Sequence, residues 1–238
     1  MKSLIHYVAI FTALFLLASN AYAATLQVYP VDINFCGSEN AQAIYVKNTG
    51  SAAIGAQVRV YHWDQKNNKD TLEETQALLI SPPMATIPPS REQLIRVIIP
   101  APASGENEQA YRLIVDELPG RSNLAEKDGV RFLLRYSLPV FVNCHHTQPD
   151  STALTFSVDP SVHPAVLRVH NGGNQHVKLE NIVLTSGNRK IVMSKGLLGY
   201  VLPHREMAWP LPENSKNISA VSFNLNDNEK KQTLHITS

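Results

Sequence analysis

The sequence lacks a surplus of charge of either sign. It contains 21 Lys and Arg against 20 Asp and Glu, and the two numbers become equal if Lys2 is removed with an N-terminal leader. Nucleic acids and anionic membranes attract proteins that gather an excess of basic side chains on one face. The balance therefore argues against nucleic acid or a membrane surface as the main partner and leaves room only for local basic sites.

Local signatures of catalysis are absent as well. The sequence has no Gly-x-Ser-x-Gly elbow and no glycine-rich phosphate loop, the marks of many hydrolases and nucleotide-binding proteins. His170 and His176 flank one turn and could face each other across a hairpin, but a catalytic zinc normally needs three protein ligands. Asp116 and Glu117 are strand neighbours that point to opposite faces, so they suit a charged strand end or an interdomain ion pair with an arginine. We expect no enzyme activity, no cofactor and no metal.

Beyond its first residues the sequence lacks an apolar run long enough to cross a membrane, which takes about twenty residues. The beginning holds Lys2, a shorter apolar run over residues 7–18, and Ala21-Tyr22-Ala23, which fits the small-x-small cleavage pattern. We predict a cleaved signal peptide at residues 1–23. The mature protein, from about Ala24, is then exported and not inserted in the membrane.

Cysteine is scarce, since only Cys36 and Cys144 occur. In an oxidising compartment two thiols most simply form a disulfide, and two unpaired thiols are the alternative. The C-x-x-C spacing of a redox-active pair is missing. A bridge would close a loop of about a hundred residues, with a nominal stabilisation of roughly 4 to 5 kcal/mol.

A sustained helical period is also missing, and residues 71–79 carry one helical turn at most. Candidate strands recur about every ten residues, separated by Gly, Pro and Asn turn signals. The first series covers residues 26–35, 41–47, 56–63, 93–99, 110–118 and 130–142. The second covers residues 154–158, 165–170, 177–185, 190–193, 198–202, 221–225 and 233–236.

A polar stretch over residues 144–150 ends in Pro149-Asp150 and is typical of a linker between domains. Each half of the chain has about a hundred residues, the size of an immunoglobulin-like sandwich. We therefore predict an all-β protein with two immunoglobulin-like β-sandwich domains in tandem, over residues 24–145 and 146–238.

The strand predicted at residues 130–142 has one wholly apolar face and a mixed one. With a period of two, the apolar face holds Val130, Phe132, Leu134, Tyr136, Leu138, Val140 and Val142. The other face holds Arg131, Leu133, Arg135, Ser137, Pro139 and Phe141. Thirteen residues is well above the usual strand length of about five to six, and a long exposed apolar strand invites aggregation. In an exported protein such an edge strand is suited to pairing with another protein.

The end of the first predicted strand can pair in parallel with this last strand, as variable-type sandwiches allow. Cys36 and Cys144 would then arrive at the same end of the sheet. A disulfide between them would clamp the first strand to the last one, next to the linker.

Several segments together resemble the periplasmic chaperones of the chaperone-usher pilus pathway, the PapD-like family. The segments are Ile44-Tyr45-Val46-Lys47-Asn48, Val58-Arg59-Val60-Tyr61-His62-Trp63, Leu79-Ile80-Ser81-Pro82-Pro83, Gln93-Leu94-Ile95-Arg96, Tyr111-Arg112-Leu113 and Asp116-Glu117-Leu118-Pro119. Their order and spacing span the first half of the chain, whereas the second half agrees in size and strand content. Trp63-Asp64-Gln65 and the segment from Tyr136 to Phe141 resemble the archaic branch.

The resemblance implies a periplasmic chaperone that binds fimbrial (pilin) subunits and delivers them to an outer-membrane usher. In this family the chaperone lends a strand to a subunit whose own fold lacks one. By the resemblance Val130, Phe132 and Leu134 are the inserted residues, and residues 136–142 stay in the chaperone's core. The alternative is a secreted structural or adhesive fimbrial protein.

One position departs from the family pattern. Members outside the archaic branch carry a first-strand arginine that anchors the subunit's C-terminal carboxylate, whereas residues 30–34 of this chain contain no basic residue. A buried carboxylate still needs charge-assisted partners. The candidate anchors are Arg96, Arg131 and Arg135, followed by Arg112. The alternative is that these arginines are ordinary solvated charges.

Overall fold

The structure, a computed structural model, describes residues 26–100, 107–118, 132–145, 147, 149–213 and 215–236. The first half folds into strands that alternate buried and exposed side chains, as expected for sheets with one covered face. These are β1 Leu26–Tyr29, β2 Ile33–Phe35, β3 Ala41–Asn48, β4 Ile54–Lys66, β5 Lys69–Glu74, β6 Leu79–Ser81, β7 Met84–Ile87, β8 Glu92–Ile98, β9 Gln109–Leu118 and β10 Arg135–Val142.

Two sheets form this first sandwich. One has the strand order β1-β3-β8-β6, and the other has the order β2-β10-β9-β4-β5, with β7 also paired to β4. Their facing sides bury a common apolar core that includes Ile44, Ile95, Leu113 and Val140. The sandwich is therefore held by burial of alternate side chains from both sheets.

The predicted first strand, residues 26–35, is divided between the two sheets. β1 pairs antiparallel with β3, and β2 pairs in parallel with β10, where Ile33 lies opposite Val140. Pro30, which has no N–H to donate to a ladder, lies between β1 and β2. The predicted parallel pairing is thus confirmed, but only for the second piece of the strand.

The disulfide between Cys36 and Cys144 is present. Cys36 directly follows β2, and Cys144 lies two residues after β10. The bond therefore clamps these parallel strands at their shared end, as predicted.

The second half forms another pair of packed sheets. The strands are β11 Leu154–Asp159, β12 Val166–Asn171, β13 Val177–Ser186, β14 Arg189–Val192, β15 Leu197–Val201, β16 Glu206–Pro210, β17 Ala220–Leu225 and β18 Gln232–His235, and a 3-10 helix spans Ser151–Ala153. One sheet has the order β11-β12-β16, and the other has β14-β13-β17-β18 with β15 on β13. Phe156 and Phe223 are buried between them. The predicted fold class, all-β with two immunoglobulin-like sandwiches, is confirmed.

Residues 71–79 were expected to carry one helical turn at most, and they carry none, because Lys69–Glu74 is a strand that pairs with β4. One local prediction was wrong. The strand predicted at residues 130–142 begins at Arg135 in the structure, and residues 132–134 precede it without strand pairing of their own.

No helix in the described part of the chain has the length and apolarity needed to span a bilayer. The predicted signal peptide lies outside the described residues.

The hairpin suggested for His170 and His176 does not form. These residues lie by β12 and β13, which belong to different sheets. His170 is exposed, whereas the His176 ring lies 2.8 Å from Glu108 Oε1 and stacks on Phe141. Within the described residues, no group of three or more His, Cys, Asp or Glu side chains is placed to hold a metal ion.

Candidate functional site

Strand β10 is only partly covered along one side. It pairs with β9 over its whole length, from Arg135 to Val142, whereas β2 covers its other side only from Val140 onward. In the described part of the chain, no strand pairs with that side between Arg135 and Pro139. We call this stretch the open edge.

The main chain of the open edge presents hydrogen-bonding groups that no described strand pairs with. The Glu117 N–H donates to the Leu134 carbonyl at 2.9 Å, so the backbone groups of Leu134 and of every second residue after it face β9. The backbone groups of Arg135 and Ser137 consequently point away from β9, in the plane of the sheet. Within the described residues no strand bonds to these groups, so another strand can add there.

The inward side of the same segment becomes steadily more buried along the chain. Phe132 is 81% exposed, Leu134 and Tyr136 are half-buried against the core, and Leu138 is buried. The Tyr136 hydroxyl donates to the Leu26 carbonyl at 2.7 Å and so connects β10 to the edge strand of the opposite sheet. Of the predicted inserted residues, Phe132 and Leu134 lie at the exposed end of this gradient, and Val130 lies outside the described residues.

The outward side of the open edge carries an ion cluster that we call the guanidinium triad, formed by Arg59, Asp116 and Arg135. Arg59 Nη2 donates to Asp116 Oδ2 at 2.6 Å, and Arg135 Nε donates to Asp116 Oδ1. Burial alone would raise the pKa of the Asp116 carboxyl, but the hydrogen bonds and charges of the two arginines outweigh burial and lower this pKa. Of the two alternatives for Asp116, the charged strand end fits the structure and the interdomain ion pair does not, because both arginines belong to the first sandwich.

The two sandwiches meet in a small buried cluster that we call the joint. Its members are Trp63, Ala110, Phe141, Cys144 and Leu202, with Cys36 and Tyr200 packed against them. The Arg112 guanidinium carbon lies 3.6 Å above the Trp63 ring, a cation–π geometry.

The Gln65 side chain joins the two sandwiches through hydrogen bonds to main-chain groups of the second one. Its Oε1 accepts from the Leu202 N–H at 2.9 Å, and its Nε2 donates to the Tyr200 carbonyl at 3.0 Å. Sequence reasoning missed this role. The available signal was a polar side chain two residues after Trp63, on the same face of β4.

The salt bridge between Asp64 and Arg205, at the border of the joint, predicts that the stability of the fold depends on pH. Burial would raise the pKa of Asp64, but hydrogen bonds from Arg205 and from the Gln65 N–H, together with nearby positive charge, lower it. A carboxyl whose pKa is lowered by folding stabilises the fold at pH values above its ordinary pKa of about 4. This stabilisation is lost as the pH falls through the lowered pKa. We expect Arg205→Met to cost about 0.5 kcal/mol at neutral pH, since Arg205 is partly exposed.

The measurement is urea unfolding of both proteins between neutral and acidic pH. The stability difference should be constant above about pH 5 and should shrink below about pH 4. A difference that stays constant through the acidic range would contradict the assignment. Arg189→Met, an exposed arginine on β14, is the control and should follow the wild type throughout.

A cleft of about 420 Å³ lies beside the joint. Its walls combine Asp32, Pro139 and Phe141 with His176 and Tyr200 of the second sandwich. The cleft is thus lined by both sandwiches and by the outward side of β10.

The structure separates the candidate anchoring arginines. Arg96 is exposed on β8, and Arg135 is exposed on β10 of the other sheet. They lie on outer faces of opposite sheets, because the neighbours of each along its strand point into the core. One carboxylate therefore cannot contact both, and Arg131 lies outside the described residues.

Residues 25–148 match a family model described as pili and flagellar-assembly chaperone, PapD N-terminal domain. This match covers more than half of the chain. The chain belongs to this family of assembly chaperones. A sequence comparison with curated proteins finds no match.

Solved structures agree with this family. The chaperone resembles a chain of the CsuC-CsuE chaperone-tip adhesion subunit complex from the archaic chaperone-usher Csu pili of Acinetobacter baumannii. The TM-score is 0.70 and the identity 25%, over 90% of this chain and 98% of that chain.

Two further structures share the fold at lower identity. A chain of the Salmonella enterica SafA pilin complex with the SafB chaperone has a TM-score of 0.66 and 12% identity, over 91% of this chain and 98% of that chain. The CupB2 chaperone of Pseudomonas aeruginosa has a TM-score of 0.58 and 18% identity, over 88% and 99%. The resemblance inferred from sequence to the pilus chaperones and their archaic branch is confirmed.

Proposed function

We propose that this chaperone binds pilin subunits in the periplasm by lending them the beginning of β10 and the residues before it. The observation that carries the proposal is the open edge, where unpaired backbone groups lie beside an exposed apolar side chain. Strand addition draws affinity from main-chain hydrogen bonds and specificity from alternate side chains in pockets. The inserted residues are Val130, Phe132 and Leu134, while residues 136–142 remain in the chaperone's core.

Two observations support this partner, one from the relatives and one from this chain. Two of the similar solved chains come from complexes of a chaperone with a pilin or a tip adhesion subunit. The gradient of burial along β10 also fits a strand that is lent at one end and retained at the other. Delivery to an outer-membrane usher follows by analogy with the chaperone-usher systems among these relatives.

The subunit's C-terminal carboxylate requires a cation near the cleft. Arg96, Arg131 and Arg135 are candidates, and Arg112 is the best placed of the described arginines. It stacks on Trp63 and lies opposite Pro139, a residue that lines the cleft. It forms no salt bridge with any described carboxylate. We propose that Arg112 holds this carboxylate.

The test of strand donation is a double variant, Phe132→Asp with Leu134→Asp. We expect it to capture co-expressed pilin subunits of the same operon at least about a hundredfold less well, because two apolar side chains lose their burial in the subunit. Copurification and a binding isotherm measure the loss. Circular dichroism checks that the variant still folds.

The matched control is the double variant Val192→Asp with Leu197→Asp. Both side chains are apolar and 51% exposed, and they lie on β14 and β15 of the second sandwich, away from the open edge. Capture by the control should stay near that of the wild type. If the double variant captures subunits and supports pilus assembly normally, strand donation at this site is wrong.

A further inference from the structure

The guanidinium triad has more donors than its carboxylate can use. Each guanidinium carries five N–H groups, and among the described residues only one nitrogen of each is hydrogen-bonded, in both cases to Asp116. Arg59 Nε is buried and has no hydrogen-bond partner within the described part of the chain. The triad thus retains unused donors.

The triad also has an excess of positive charge. Two arginines share one carboxylate, and the Arg135 side chain is 66% exposed. The other described charged group that acts on Arg59 is Glu74 of β5, which lies opposite Tyr61 and forms no salt bridge with Arg59 within 4.0 Å. The free side of Arg135 therefore faces solvent, and the three side chains of the triad together keep a net positive charge.

The position of this cation relative to the open edge determines what it can contact. Residues directly opposite each other on neighbouring strands have Cβ atoms about 5 Å apart, and diagonal neighbours are about 7 to 8 Å apart. A strand added at the open edge would place an outward side chain beside Arg135 and the small, exposed Ser137. That side chain lies within reach of the guanidinium.

We propose that the guanidinium triad recognises an acidic side chain on the outward face of the subunit strand that pairs with the open edge. This inference rests on the proposed strand donation. It gives the interface two faces with different chemistry, an apolar one at Phe132 and Leu134 and a carboxylate-binding one at Arg135. Asp116 is the positioning residue, because it holds both guanidinium groups against the sheet.

The experiment compares Arg135→Gln with the wild type, using a pilin subunit of the same operon that copurifies with the chaperone. We expect capture to weaken about two- to fivefold, the range for an opposite-charge pair across strands. The salt dependence of wild-type affinity should be reduced in the variant, since it removes a screened charge pair. Arg135→Lys should recover part of both effects, and Arg189→Gln should change neither.

Variants of the subunit identify the source of the carboxylate. When the outward Asp or Glu of the subunit's pairing strand is replaced by Asn or Gln, Arg135→Gln should no longer weaken capture. If instead adding two glycines to the subunit's C-terminus makes Arg135→Gln silent, Arg135 binds the terminal carboxylate and the inference is overturned.

The outcomes also separate this inference from the proposed function. If the Phe132→Asp, Leu134→Asp variant loses capture while Arg135→Gln binds normally with unchanged salt dependence, strand donation stands and the carboxylate site is wrong. If the double variant captures normally, strand donation itself is wrong.

Discussion

Removing the disulfide by Cys36→Ala with Cys144→Ala should lower the free energy of unfolding by about 4 to 5 kcal/mol. The bond joins residues 108 positions apart, so its loss releases a long loop in the unfolded chain. Both cysteines also pack in the joint, and the substitutions therefore loosen contacts between the sandwiches. This loss is comparable to the whole stability of a marginal domain.

Urea unfolding with and without a thiol reductant measures this effect. Reductant should destabilise the wild type by a similar amount and should leave the double alanine variant unchanged. A variant as stable as the oxidised wild type would show that the bond adds nothing. Val142→Ala, a buried neighbour on β10, is a comparison for the cost of lost packing alone.

Replacing Trp63 by alanine should cost about 3 to 5 kcal/mol, the range for a large aromatic side chain removed from a core. Trp63 is buried between the sandwiches and contacts Phe141, Tyr200 and the Arg112 guanidinium. Its removal leaves a cavity where the two halves meet. We therefore expect lower stability together with a looser arrangement of the halves.

Urea unfolding followed by circular dichroism measures the stability, and small-angle scattering measures the radius of gyration. Leu72→Ala is a matched control, because Leu72 lies directly opposite Trp63 on β5 but is exposed. The control should remain within about 0.5 kcal/mol of the wild type. An equal loss in both variants would mean that the joint has no special role.

Alternation of apolar and polar residues was sufficient to predict the faces of β10. Leu138, Val140 and Val142 are buried in the core as predicted, while Arg135 points outward. The same pattern did not show where the strand begins. Alternation reports which side of a strand can be covered, but pairing depends on whether a neighbouring strand is present.

Other strands left little signal in the sequence. β5 is almost entirely polar and exposed. It owes its structure to hydrogen bonds with β4 and to the turn at Asn67 and Asn68, both at positive φ. Asparagine tolerates this conformation, and Asn67 and Asn68 are among the Asn turn signals of the sequence. The strand was not predicted, since it buries too little apolar surface to show a period.

The candidate site was predicted unevenly for a related reason. The apolar face that holds Phe132 and Leu134 could be seen in the sequence because it is a property of one segment. The family resemblance then pointed to these residues, and their insertion stays a prediction. The guanidinium triad joins Arg59, Asp116 and Arg135 from three strands, and only the register of the sheet brings them together. Sequence spacing carries no information about such cross-strand neighbours.

Pro139 limits how far another strand can pair along the open edge. The backbone groups of residue 139 face away from β9, and proline has no N–H to offer there. Along β10, a neighbouring strand at the open edge finds the amide donors of Arg135 and Ser137 and then a position without one. Proline and charge are common protections against indiscriminate edge-to-edge association. The segment that we propose to pair with a pilin strand thus also carries a proline and a charge, two features that disfavour pairing between the sheets of unpartnered copies.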